Sequence, residues 1–312
     1  MIVVMGATGA TGSALLHRLT ELGVPARALS RDPARLRARL DPAAPVEVRA
    51  ADAADPASLR AAFEGAEQLF LAMANGPDQV ELEIRAVEAA AASGIGHVVK
   101  LSAPAVEPHS PVAVSRGHHA VEEHLRASGL THTLLRPYAF LQKLLLLAPE
   151  IAALGALHGT LGDVARNYVD CRDIGDVAAA VLTRPELAGR TYPLTGDRAY
   201  RHPELVELLS GLLGRRIGYV DLPVEAFRRN LVERARMPGW LADHVVEIQQ
   251  LAADRPERPD DTVPRLLGRP ARSLESFLRE HLEAFGGPAA GQAGGRIGAG
   301  AHGEPGAAPV RG

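Results

Sequence analysis

The chain has 312 residues and a mass of 32.9 kDa, which at roughly 150 residues per domain allows two lobes or one large α/β domain with a cap. Hydrophobic residues make up 46% and charged residues 23%, so it can bury a core and wholesale disorder is excluded. A formal net charge of −3 argues against a surface built to neutralise phosphates, and no nucleic-acid partner is expected.

Residues 2–5 (IVVM) read as a short strand, and a glycine-rich turn leads into a helix over 10–22 with apolar residues at Ala14, Leu15, Leu19 and Leu22. Strands follow at 26–30 and 46–50, separated by a helix over 33–40, and Pro56 suits the start of the next helix because its missing N–H would be unpaired there. The pattern continues as strand 68–73, helix 79–93, strand 97–102, helix 112–128 and strand 131–136. Repeated strand-then-helix units of this length predict an α/β fold, a doubly wound parallel sheet with helices on both faces. After Pro137 short strands (166–170, 191–194, 217–221) alternate with helices (172–183, 203–213, 224–234, 240–253, 273–284), a smaller mixed α/β lobe threaded partly back onto the sheet. The division is thus 1–150, 151–285, and a Gly/Ala/Pro tail over 286–312 too poor in large apolar side chains to order itself.

No stretch reaches the roughly 20 apolar residues of a membrane span, and the start MIVVMGATGATG lacks the features of a signal peptide, so no membrane partner and a cytoplasmic location are expected. The single cysteine, Cys171, excludes an internal disulfide framework and suits a reducing compartment; it reads as a small packed residue. The 12 histidines show no zinc-type spacing, and no metal is expected.

Gly6-Ala7-Thr8-Gly9-Ala10-Thr11-Gly12 lies between the first strand and the first helix, the context that marks a dinucleotide-binding turn. Gly6 permits the sharp turn, Gly9 lets backbone N–H groups reach a pyrophosphate, and Gly12 lets the helix pack on the sheet. Thr8 and Thr11 supply hydroxyls near the phosphates or cap the helix. Arg31, ending the second strand beside Ser30, suits the 2′-phosphate of NADP, whereas Asp32 in that place would bind the 2′-hydroxyl of NAD; its other use is to cap the helix that opens at Pro33. NADP(H) is therefore expected over NAD. Asp52, past the third strand, is placed for the adenine amino group or for a turn, and the small residues Ala72, Met73 and Ala74 leave room for ribose and nicotinamide.

These landmarks resemble the NmrA-like group of atypical short-chain dehydrogenase/reductases, related to quinone and triphenylmethane-dye reductases. The matching stretches are IVVMGATGATGSALLHRL, ARALSRDPARL, HVVKLSA, HHAVEEHLRASGLTHTLLRPYAFLQKLL and YVDCRDIGDVAAAVLT, and the likeness runs from about Met1 to Phe285. It implies a Rossmann-like domain binding NADP(H) and a C-terminal lobe shaping a substrate cleft. It also places Pro137 and Tyr138 near the nicotinamide and uses Asp170 to Asp173 to join the lobes.

The usual catalytic pair of these enzymes, a tyrosine with a lysine four residues on, is missing: Val114 stands at the tyrosine position and His118 at the lysine position. Four residues are candidates to act instead. Ser102 either donates to a substrate oxygen or caps its strand; Lys100, on the same strand face, either touches cofactor or substrate or forms an ion pair beneath them. His118 is a proton donor or a structural histidine, and Tyr138 stacks on a substrate or packs in the core. The reading is an NADPH-dependent oxidoreductase passing hydride to a small aromatic or quinone-like molecule. The alternatives are a non-catalytic NADP sensor with a regulatory protein partner and a redox-neutral biosynthetic enzyme. A homodimer is compatible with all three.

Overall fold

The protein's structure, a computed structural model, describes residues 1–288; the expected tail lies, from residue 289 on, outside them. At its centre, β1 (Ile2–Met5) is buried along its whole length, as a strand with helices on both sides must be. The chain continues through α1 (Ala10–Glu21), β2 (Ala26–Ser30), α2 (Pro33–Arg37), β3 (Val46–Ala50), α3 (Pro56–Phe63), β4 (Gln68–Leu71), α4 (Gln79–Ala92), β5 (His97–Leu101), α5 (Ala113–Ala127) and β6 (Thr131–Pro137). Asp32 and Asp55 each sit just before a proline that opens a helix, and their carboxylates accept from the N–H of Arg35 at 3.0 Å and of Ala57 at 2.9 Å.

Past Pro137 come β7 (Ala139–Phe140), a 3₁₀ segment at Leu141–Leu146, α6 (Ala148–Leu154), β8 (Ala156–Gly159), β9 (Ala165–Val169), α7 (Cys171–Thr183), β10 (Thr191–Leu194), β11 (Ala199–Arg201) and α8 (His202–Leu213). Then follow β12 (Gly218–Asp221), α9 (Val224–Glu233), α10 (Gly239–Asp254), α11 (Thr262–Leu267) and α12 (Leu274–Glu280). β7, α6, β8, β11 and α11 carry no signal in the sequence, because pieces of two to seven residues are too short to display a period. The helix expected over 273–284 divides into α12 and a 3₁₀ turn at Leu282–Phe285.

Seven parallel strands form the main sheet in the order β10-β6-β5-β4-β1-β2-β3. The direction of winding reverses between β1 and β4, and the crevice at the carboxyl ends of that pair is where such sheets take ligands. Register places Met5 opposite Leu71, so the residues that leave both strands, Gly6 and Ala72, are neighbours. Two smaller sheets, β11-β9-β7 and β12-β8, belong to the C-terminal lobe. β10 and α7 return to the main sheet: Leu194 pairs with Pro137 at its edge, and α7 lies along α1.

Leu15, Leu16 and Leu19 of α1 pack with Ile174 and Val177 of α7 on one face of the sheet; Leu59, Phe63, Val87 and Leu125 of α3, α4 and α5 cover the other. α7 approaches α1 closest at Gly175, where a Cβ would stand 2.7 Å from the Leu15 amide nitrogen and 2.8 Å from the Ala14 Cβ. Backbone on backbone leaves nothing flexible to yield. Gly175→Val should therefore cost at least about 2 kcal/mol, read as a lower urea midpoint; an unchanged midpoint would contradict this packing.

A third cluster, including Tyr168, Leu205 and Phe277, fills the C-terminal lobe. There His202 is buried with Nε2 3.2 Å from the Tyr168 hydroxyl and Nδ1 without a partner, and burial, helped by Arg166, pushes its pKa down to about 4. The unfolded chain binds that proton near its ordinary value of about 6.5, so it takes up more protons than the folded protein in between. His202's stabilisation is complete above pH 6.5 and is lost as pH falls toward 4. Thermal melts at pH 7 and 4.5 check this: His202→Leu should narrow the gap between the two.

Candidate functional site

The turn after β1 is shaped by its own backbone. Gly6 has φ +86°, and a Cβ there would stand 2.2 Å from the Ala72 carbonyl oxygen; one on Gly12 would stand 2.2 Å from the Gly6 carbonyl oxygen. Both glycines are required by internal packing. Gly9 is different. Its φ of −79° and ψ of 164° suit any residue, and a Cβ would meet only the Gly6 oxygen at 3.3 Å. It caps α1 without a side-chain hydrogen bond, and among the described residues the N–H groups of Ala10, Thr11 and Gly12 have no backbone acceptor. A row of free donors at the positive end of a three-turn helix, kept bare of side chains, is a seat for a diphosphate. Thr8 and Ala10 are exposed beside it. Thr11 is buried, so its N–H rather than its hydroxyl is what the turn has to offer; Cys171 is buried too, which pushes its thiol up to about 12.

At the end of β2, Asp32 is occupied as the cap of α2, and its N–H and carbonyl both engage the Ser30 hydroxyl at 3.0 Å. Arg31 is left exposed, with no ion pair or hydrogen bond among the described residues. Asp52 is also exposed; one carboxylate oxygen accepts from the Ala54 N–H at 2.9 Å, closing a turn, and its own N–H donates to Ser58 at 3.1 Å.

Ala72 is buried against Gly6, Met73 is half-buried and Ala74 exposed. Asn75 reaches across to the C-terminal lobe, with Nδ2 3.2 Å from Nε2 of His244 on α10. Burial, with Lys143 and Arg166 nearby, pushes the His244 pKa down to about 4, so the ring is neutral and accepts from the amide. Pro137 is buried at the edge of the sheet, and Tyr138 donates its N–H to the Leu194 carbonyl at 3.1 Å. Burial and the carboxylates of Glu257 and Asp260 raise the Tyr138 pKa, so its phenol stays protonated.

Three of the chemical candidates meet partners that the sequence does not announce. Ser102 donates to Oε1 of the fully buried Glu122 at 2.6 Å, a carboxylate shared with Arg136 and Arg126. Its hydroxyl is committed inward. Lys100 has no exposed surface: Nζ lies 2.8 Å from Glu83 Oε2, 2.9 Å from the Leu101 carbonyl and 3.1 Å from Nδ1 of His118. Its only side-chain neighbours among these polar contacts are Glu83 and that imidazole. Burial and the Lys100 charge, with His244 adding to them, hold His118 well below the ordinary histidine range. The positive charge missing from the helix position of His118 is thus supplied from β5. Glu83 was legible in one respect: it falls at helical spacing among Val80, Ile84 and Val87, a carboxylate on an apolar stripe.

Two carboxylates tie late segments of the chain to the helices around the sheet. Asp173, fully buried at the start of α7, accepts from Arg269 Nη2 at 2.8 Å, from the Arg272 N–H at 2.7 Å and from the Arg272 guanidinium. Glu247 of α10 accepts from the Ala113 N–H at the first residue of α5, at 2.8 Å. Among the described residues no three metal-ligating side chains converge, and no helix is long and apolar enough to cross a membrane.

The NmrA-like family model matches residues 1–266. An NAD(P)H azoreductase of Xenophilus azovorans is 35% identical over 292 residues, covering 92% of this chain and 99% of its own. A (4-alkanoyl-5-oxo-2,5-dihydrofuran-3-yl)methyl phosphate reductase of Streptomyces griseus is 38% identical over 289 residues, with 91% and 99% covered. Among solved structures, an NADPH-dependent quinone oxidoreductase of Escherichia coli in complex with NADPH superposes with a TM-score of 0.81 at 27% identity, over 91% of this chain and all of that one. The seven-stranded sheet, the glycine turn at its switch point and these likenesses lead to one conclusion: the chain belongs to the NmrA-like family.

Proposed function

We propose that the protein is an NADPH-dependent oxidoreductase that reduces a small aromatic or quinone-like molecule by direct hydride transfer. The observation that carries the reading is Gly9, whose extended backbone suits any residue and where a Cβ would meet only the Gly6 oxygen, beside three helix N–H groups without backbone acceptors. A bound diphosphate explains both. NADPH supplies the hydride when bound. Gly9, Ala10, Thr11 and Gly12 would hold its diphosphate by their N–H groups, and Arg31, free of other partners, would pair with its 2′-phosphate. Asp52 keeps one carboxylate oxygen for the adenine amino group. Ala72 and Met73, at the carboxyl end of β4, bound the space for the nicotinamide, with Pro137 and Tyr138 across from them and the C-terminal lobe covering the acceptor. The relatives named above, reductases of azo, quinone and furanone compounds, support this acceptor class. A reducing, NADPH-supplied setting such as the cytoplasm suits the unpaired Cys171.

Turnover is tested by NADPH consumption against a panel of quinones and azo dyes, which should proceed with saturation in the acceptor. Tight NADP binding with no consumption by any acceptor would favour a coenzyme sensor instead. Arg31→Asp should reduce the preference for NADPH over NADH at least tenfold, the worth of roughly one charge-assisted hydrogen bond; unchanged selectivity would remove Arg31 from the site. Gly9→Val should leave the melting temperature within a few degrees of wild type yet weaken NADPH binding about 100-fold in calorimetry. Undiminished affinity would show that the diphosphate lies elsewhere.

A further inference from the structure

Behind the space assigned to the acceptor lies a line of titratable groups that hydride transfer alone leaves unused. Lys100 Nζ donates to the Leu101 carbonyl at 2.9 Å and to Nδ1 of His118 at 3.1 Å, and it is held in an ion pair with Glu83 Oε2 at 2.8 Å. A lysine ammonium has no lone pair, so Nδ1 must be the acceptor of that contact, and the neutral ring carries its own proton on Nε2. Among the described residues Nε2 has no protein partner. His244, bonded to Asn75 at the carboxyl end of β4, lies close to His118. Glu83 supplies the countercharge without which an ammonium could not be buried so completely, and it has no other polar partner.

We propose that Glu83, Lys100 and His118 form a proton relay that delivers to the acceptor the proton accompanying the hydride. The inference rests on reading the protein as a hydride-transferring reductase. When the acceptor, an azo compound for instance, receives hydride from NADPH at one nitrogen, the π pair of the N=N bond moves to the other. That nitrogen takes the proton from His118 Nε2. The electron pair of the broken N–H bond stays on the ring, whose Nδ1 takes a proton from Lys100 Nζ in turn. His118 ends as its other neutral tautomer and Lys100 as an amine beside Glu83. Once product leaves, water returns a proton to Nε2 and Nδ1 gives its own back to Lys100. The sum is acceptor, NADPH and one proton giving the hydrazo compound and NADP⁺. A neutral imidazole N–H is a weak acid by itself, and the ammonium behind it is what lets it donate. His118 is the group that touches substrate; Lys100 and Glu83 act through it.

Two acceptors with opposite proton demands test the relay. Methyl red, an azo dye, needs a proton after hydride addition; malachite green, a triphenylmethane cation, is quenched by hydride and needs none. Lys100→Met and His118→Gln should each lower single-turnover reduction of methyl red at least tenfold more than reduction of malachite green, and Lys100→Arg should recover part of the loss. In mixtures of H₂O and D₂O the wild-type rate on methyl red should fall along the curve of two protons in flight, becoming linear in Lys100→Met. Equal losses on both acceptors, or a wild-type rate on methyl red insensitive to D₂O, would overturn the relay. Should Lys100→Met not fold, or malachite green not be reduced, the wild-type isotope curve decides alone. A wild type that oxidises NADPH with neither dye nor any quinone overturns the reductase reading itself, a distinct result.

Discussion

Where the first turn of α1 folds back over the end of β1, the backbone of Gly12 passes so near the Gly6 carbonyl that no side chain fits at either position, and Ala72 closes the space from β4. That three-way contact fixes the helix start at the one place in the sheet where the winding reverses. The positive end of α1 is then aimed at the crevice rather than at a neighbouring loop, and a coenzyme seated there has its orientation set by β2 on one side and β4 on the other. Gly175 presses α7 against the same helix from behind, so the seat is braced by a segment from the far half of the chain. The sheet edge added by β10 and the Asp173–Arg272 contact extend that bracing to the last helices of the described chain.

Much of this was readable before any coordinates. The first six strands and five helices fall where alternating apolar runs and proline-led helix starts place them, differing by one to three residues at their ends. The second use that the sequence offers for Asp32 is the one found, since the aspartate directly before a helix-opening proline accepts from the Arg35 N–H ahead of it. What the sequence hides is pairing across distance. Nothing near Ser102 points to Glu122, twenty positions on, and nothing near Lys100 to Glu83 on another helix. A buried charge looks the same in a sequence as an exposed one until its partner is located, and only the sheet register with its covering helices does that.

The two sides of the crevice differ in character. Around the glycine turn the lining is backbone: glycines, N–H groups and small side chains, with Gly6 and Gly12 allowing no Cβ. Toward the C-terminal half it is made of polar side chains from several elements, with Asn75 meeting His244 and His118 meeting Lys100. Side chains on that side can vary without disturbing the start of α1, and a single scaffold carries relatives named for azo, quinone and furanone reduction.

Cys171 adds a consequence of a different kind. Quinones are electrophiles that alkylate thiolates, and a catalyst that hosts them runs the hazard of being arylated by its own substrate. The sole sulfhydryl of this chain is buried at the start of α7, and that burial pushes its pKa up to about 12, leaving almost no nucleophilic form at neutral pH. The packing of α7 against α1 thereby also keeps the thiol sulfur out of the reach of electrophiles.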